Sequence, residues 1–162
     1  MKQRSEIAPS HSAHADWLSA LKAYLAVALM ANLSWEILQL PLYTIWTKGT
    51  TREIAFAVVH CTLGDVLIAL AALTLALIVV GTRDWPSGQY NAVLMGTVLI
   101  GVGYTIFSEW LNIVIRASWA YSPLMPVVPI INTGLSPLLQ WIVIPIAALT
   151  VAKCAALQSS SL

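Results

Sequence analysis

Residues 54–80 read IAFAVVHCTLGDVLIALAALTLALIVV. The run is longer than the roughly 20 residues a helix needs to cross about 30 Å of hydrocarbon, yet it holds an acid, Asp65, and a histidine, His60. Three more apolar stretches flank it, residues 18–45, 90–115 and 124–151. The predicted fold is therefore all-α, an integral membrane protein built as a bundle of four transmembrane helices. Composition agrees. The 162 residues are 59% hydrophobic and 9% charged, and a mean hydropathy of +0.80 lies outside the soluble globular range. A formal charge of +1 supplies no basic stripe for nucleic acid, so no nucleic-acid partner is expected. Cys61 and Cys154 are isolated, which leaves neither a CxxC nor a disulfide framework.

Three regions follow: a polar cytoplasmic tail at 1–16, a single four-span domain at 17–153, and a short polar tail at 154–162. Ala26-Val27-Ala28 resembles a signal-peptidase site, but the apolar run continues past it and Asp16 and Lys22 interrupt the stretch before it, so no cleavage is expected. The tail histidines, His11 and His14, read as solvated. Thr50 with Glu53 forms a candidate capping box before the second helix, and Trp85-Pro86-Ser87-Gly88 reads as a turn after it. Pro123, Pro126 and Pro129 predict an extended or re-entrant lead into the last helix.

Lys2, Arg4, Lys22, Arg83 and Lys153 fall on one side of this arrangement, against Lys48, Arg52 and Arg116 on the other. The excess places both termini in the cytoplasm, in a plasma or inner membrane. Candidate aromatic belts are Trp17, Tyr24, Trp85 and Tyr90 on that side, and Tyr43, Trp46, Trp119 and Tyr121 opposite.

Glu36, His60, Asp65 and Glu109 lie inside the spans. At about 1.5 Å per residue they fall roughly 7, 10, 3 and 9 Å from the midplane, all displaced the same way, which predicts one polar chamber off-centre in the membrane. An ionised group at mid-span costs roughly 2.5–3.5 kcal/mol to insert, so such residues mark cavities, pairs or proton paths. The first helix sets Asn32, Glu36, Gln39 and Tyr43 on one helical stripe, and the third sets Thr105, Glu109, Asn112 and Arg116 at the same spacing. Glu36-Ile37-Leu38-Gln39 against Glu109-Trp110-Leu111-Asn112 hints at a two-helix repeat. Asp65 lies about 140° around the helix from His60, so the two do not face one centre. In the last helix, Pro137 and Pro145 are expected to free the carbonyls of Thr133 and Trp141, while Asn132, Gly134 and Gln140 are minor candidates. Trp35 and Trp110 adjoin the two glutamates, where their ring faces could hold an apolar or cationic ligand.

No HExxH, nucleophile elbow, Walker loop or CxxC is present. The acids and His60 lack the Glu-x-x-His spacing of carboxylate-bridged metal sites, so no metal is assigned and no cofactor follows from the chain. The combination of Glu, His and Trp within spans is similar in kind to sterol isomerases of the emopamil-binding type, from which no residue is carried over. The expected function is an intramembrane acid–base site that binds, and converts, an apolar or amphiphilic lipid-like molecule. In it Glu36 and Glu109 are proton donor and acceptor, His60 or Asp65 tunes them, and Asn32, Gln39, Tyr43, Asn112, Arg116, Trp35 and Trp110 contact the ligand. The competing readings are a proton-coupled transporter, which four spans would require to act as a homo-oligomer, and a non-catalytic assembly subunit. Membrane lipid is the expected partner.

Overall fold

The computed structural model describes residues 11–82, 84–86 and 88–159, with side chains from Trp17 onward. Lys2, Arg4 and Arg83 fall outside that description, as do the side chains of the tail histidines His11 and His14. Helix α1 spans His11–Gln39 and tightens into a 3₁₀ turn at Leu40–Leu42. A short α2, Ile45–Lys48, leads to α3, Thr51–Val80. Helix α4, Tyr90–Glu109, runs on as a π-helix over Trp110–Ile115. Strands β1, Val127–Val128, and β2, Thr133–Gly134, form a small hairpin before α5, Leu135–Ser159. Four helical stretches, Trp17–Leu42, Thr51–Val80, Tyr90–Ile115 and Leu135–Ser159, are long and apolar enough to cross a membrane. The chain is an all-α, four-helix membrane bundle.

Local chemistry sets the ends of these helices. Pro41 has no N–H to continue α1, which gives way to the 3₁₀ turn. The capping box starts α3 as expected: the Thr50 amide donates to Glu53 Oε2 at 2.7 Å and the Glu53 amide to Thr50 Oγ1 at 3.3 Å. Gly81, at φ 68°, closes α3 in the left-handed conformation that glycine adopts without cost.

The last span departs from expectation, beginning at Leu135 rather than Leu124. Pro126 and Pro129 exclude a helix over the intervening stretch, which pairs Val127 with Gly134 and Val128 with Thr133 instead. The Leu135 amide is then satisfied by the Pro126 carbonyl at 2.7 Å. Pro137 consequently sits in the first turn of α5, where an amide has no helical partner to lose, so the expected free carbonyl at Thr133 does not arise. Pro145 does lie inside the helix.

Helix α1 packs against α5 and α3, and α4 against the same two, so that α1 faces α4 across the bundle and α3 faces α5. One end is narrow. Ala20, Tyr24 and Ala28 meet Ala69, Leu73 and Ala76, with Val93, Ala148, Leu149, Ala152 and Ala156 completing the layer. Such small side chains let helices approach closely. Tyr24 is fully buried here and donates to the Ala69 carbonyl at 3.0 Å. It is a core residue, not the interfacial one its position in a belt suggested.

At this same end Trp17 meets Trp85 edge-on at 6.1 Å, and the Lys153 ammonium lies 4.6 Å from the Tyr90 ring centre. The start of the first span, the 81–89 turn and the end of α5 are thus neighbours. At the other end, the segment after the π-helix folds back over residues 40–44. Thr44 donates to Ala120 at 2.9 Å, Ser122 to Leu42 at 2.9 Å, and the Tyr43 and Tyr121 rings stand 5.6 Å apart.

Candidate functional site

Toward this second end the helices diverge around a chamber of about 1260 Å³. Glu36, Gln39 and Tyr43 line it from the first span, His60 and Asp65 from α3, and Glu109, Asn112 and Arg116 from α4 and its π-helical extension. Eight of the eleven residues singled out from sequence therefore share one cavity, although they come from three helices. His60 sits on its exposed rim, stacked on Phe56 with ring centres 5.3 Å apart, rather than among the acids.

Gln140, from α5, organises the floor. Its amide nitrogen lies 2.8 Å from Asn32 Oδ1, 3.0 Å from Asp65 Oδ2 and 3.3 Å from Glu36 Oε1. Gln39 donates to Glu36 Oε1 at 2.7 Å, and its own carbonyl accepts from Ser136 Oγ at 2.9 Å. Glu36 and Asp65 are also within hydrogen-bonding reach of each other. Both are half-buried, so their remaining surface faces the chamber.

Glu109 stands apart from that pair, on the facing helix, and is buried. It accepts a hydrogen bond from the Tyr121 hydroxyl, which in turn accepts from the Gly134 amide at 2.7 Å. One phenol thus ties the hairpin to the acid. Gly134 is required for this approach: a Cβ there would stand 2.8 Å from Met125 Sδ and 3.1 Å from Tyr121 Cε1. Burial pushes the Tyr121 and Tyr43 phenols above their ordinary range, and Glu109 beside both pushes them further. Both hydroxyls keep their protons and can donate.

Two polar atoms next to Glu109 make no hydrogen bond of normal geometry within the protein. Thr105, one turn before it, is 4% exposed and lines the chamber, yet its hydroxyl makes no hydrogen bond within the protein. The indole N–H of Trp119, facing the same carboxylate, makes none of normal geometry. Buried polar groups are rarely left so, and two beside one cavity suit a polar atom supplied from within it.

The π-helix alters the expected stripe. From Trp110 the hydrogen bonds step to i−5, as from the Arg116 amide to the Leu111 carbonyl at 2.9 Å, so α-helical spacing no longer applies. Asn112 still reaches the chamber wall, where it donates to the Ser108 carbonyl at 2.9 Å.

Three expected ligand contacts lie elsewhere. Trp110 is 50% exposed on the outside of the bundle, beside Phe107, because the residue following an inward glutamate points about 100° away. Trp35 is displaced from the wall for the same reason, and its indole donates to Ser136 Oγ at 3.1 Å. Asn32 is buried beneath the floor as a partner of Gln140. The aromatic wall is instead made by Tyr43, Tyr104, Trp119, Trp141 and Phe56. Tyr121 and Trp119 read from sequence as belt aromatics rather than site residues, because they sit in a loop whose fold-back has no helical period. Gln140, a minor candidate from sequence as a lone amide between two prolines, is the residue that joins Asn32, Glu36 and Asp65.

Among the described residues no three His, Cys, Asp or Glu side chains group as metal ligands would. Comparison with protein-family models, curated proteins and solved structures returned no match.

Proposed function

We propose that the chamber is an intramembrane acid–base site that binds a lipid-like molecule and moves protons on it. The observation that carries this reading is the placement of carboxyl groups from three helices on two facing walls of one cavity, with aromatic rings between them. Glu109 works from one wall and the Glu36–Asp65 pair from the other, so one side can remove a proton while the other delivers one. Gln140 and Gln39 hold the pair in place, Tyr121 and the facing Trp119 indole hold Glu109, and Thr105 is free to bind a polar atom of the ligand. The bundle sits in a plasma or inner membrane with its narrow end and both termini at the cytoplasmic face.

A transport role is less well supported. Beneath Gln140 lies a void of about 10 Å³ enclosed by residues such as Tyr24, Ala28 and Ala69, barely enough for one water. A proton-coupled carrier would have to open that packed layer.

The test uses Glu36→Gln and Glu109→Gln, with lipid extracts compared between cells that lack the protein, cells complemented by it and cells complemented by each variant. Gln keeps size and hydrogen bonding, so insertion and thermal stability should be largely retained. Turnover of whatever lipid accumulates without the protein should drop by roughly 10²–10⁴-fold, the usual loss when a positioned acid or base is removed. Full complementation by stable Gln variants would defeat the proposal and favour a role in assembly.

A further inference from the structure

The chamber has a charged rim. Lys48 at the end of α2, Arg52 in the first turn of α3 and Arg116 after the π-helix all line it at the wide end. Among the described residues these are every Lys and Arg at that end, and none of the three is paired with a carboxylate. The neighbouring acid, Glu53, is occupied by the capping box, where its Oε2 accepts from both the amide and the hydroxyl of Thr50. Ordinary interfacial cations would be scattered round the bundle with their heads in lipid or water. Here they gather on one opening, above walls that hold three acids.

We infer that the chamber takes an anionic amphiphile, its head group held at the rim by Lys48, Arg52 and Arg116 and its apolar chain running inward past Phe56 and between the carboxyls toward Ile68 and Tyr104. This deepens the acid–base reading and rests on it for the fate of the chain. The opposite orientation is disfavoured at both ends, because an anionic head on the floor would meet Glu36 and Asp65 while the rim charges went uncompensated. A cationic head is repelled at the rim. Along α3, Arg52 and Asp65 are separated by about 20 Å, so the atoms presented to the acids lie well down the chain from the head. The volume also suits a long molecule, since pockets for drug-sized ligands measure roughly 300–1,000 Å³ and this chamber is larger, at about 1260 Å³.

The test is direct binding by native mass spectrometry on the full chain in neutral detergent, with tetradecyl phosphate, tetradecanol, tetradecyltrimethylammonium and inorganic phosphate as probes. Tetradecyl phosphate should bind at least roughly tenfold more tightly than either other amphiphile, since charge-assisted hydrogen bonds separate them. The triple variant Lys48→Gln, Arg52→Gln, Arg116→Gln alters exposed side chains, so it should fold, which a thermal melt checks, and should bind tetradecyl phosphate no better than tetradecanol. Equal affinity for the three amphiphiles, a preference that survives the triple variant, or inorganic phosphate binding as tightly as tetradecyl phosphate would overturn the inference. Phosphatidylglycerol in bicelles separates two sources of the same head-group chemistry: competition with tetradecyl phosphate assigns a bilayer lipid, and lack of competition a free single-chain amphiphile. The Glu36→Gln and Glu109→Gln variants should keep the preference. In the parent protein, the same preference without any lipid turnover would remove the acid–base function and leave the head-group site standing.

Discussion

A carboxamide has two N–H bonds, and Gln140 stands within reach of three acceptors. The longest contact, to Glu36, is the one best covered elsewhere, by Gln39 at 2.7 Å. Asn32, fully buried, has no such substitute, and its own amide is spent on the Ala28 carbonyl. Gln140→Leu should therefore destabilise the bundle by about 1–3 kcal/mol, the cost of an orphaned buried acceptor, measurable by thermal unfolding in detergent. A melt equal to the parent's would show that the amide is not the organiser of the floor. Tyr121 offers a test with pH. Its phenol, like that of Tyr43, is held above the ordinary value of 10.0 by burial and by Glu109, so the protonated form is favoured in the folded state. The stability this contributes is present in full below 10.0 and is lost as pH rises through the higher folded value. Ultraviolet titration should thus find at least two tyrosines that ionise only with unfolding, and the melting temperature of Tyr121→Phe should fall less steeply with alkali than the parent's. At this scale the acids were readable from sequence because charge in an apolar run is conspicuous. Trp35 and Trp110 were misplaced because adjacency along a helix is not adjacency in space.

Among the elements, α4 is placed by a glycine. A Cβ at Gly101 would stand 2.3 Å from Trp141 Cε3, so α4 and α5 meet where this ring contacts bare backbone and forms part of the chamber wall. Gly101→Ala should cost about 1–3 kcal/mol by overpacking, whereas Gly103→Ala, with nothing within 4 Å, should be neutral in the same thermal assay. Equal effects would mean that the ring moves aside freely. The spans were readable because length and hydropathy alone define them, and the first three begin and end within a few residues of expectation. The fourth did not, since residues 124–134 are as apolar as a helix but fold as a hairpin, with Ile130 93% exposed. Hydropathy cannot separate those states, and Pro126 and Pro129 were the better guide. The π-helix left no trace in the pattern, because it changes hydrogen-bond register without changing composition.

For the whole molecule, alternation of the four helices predicts that reporters fused after Lys22, Arg83 and Lys153 share one side and those after Arg52 and Arg116 the other. Fusions after Arg52 and Arg83 on the same side would remove a span. The contacts of Trp17 with Trp85 and of Lys153 with Tyr90 support the shared end. That the acids line one chamber could be anticipated from sequence because it needs only residue counting, whereas the tight opposite half could not, since alanine is unremarkable in any apolar run. That half, with Tyr24 locked to Ala69 and alanines in contact, makes the chamber a cul-de-sac. On the proposed function, a blind pocket would give the protein a sidedness that concerns traffic as much as chemistry: a molecule resident in the opposite leaflet would have no route to the acids until something else had flipped it. In vesicles carrying the protein in one orientation, an amphiphile added to one leaflet should be captured at once, and the same amphiphile in the other leaflet only at the pace of its own transbilayer exchange.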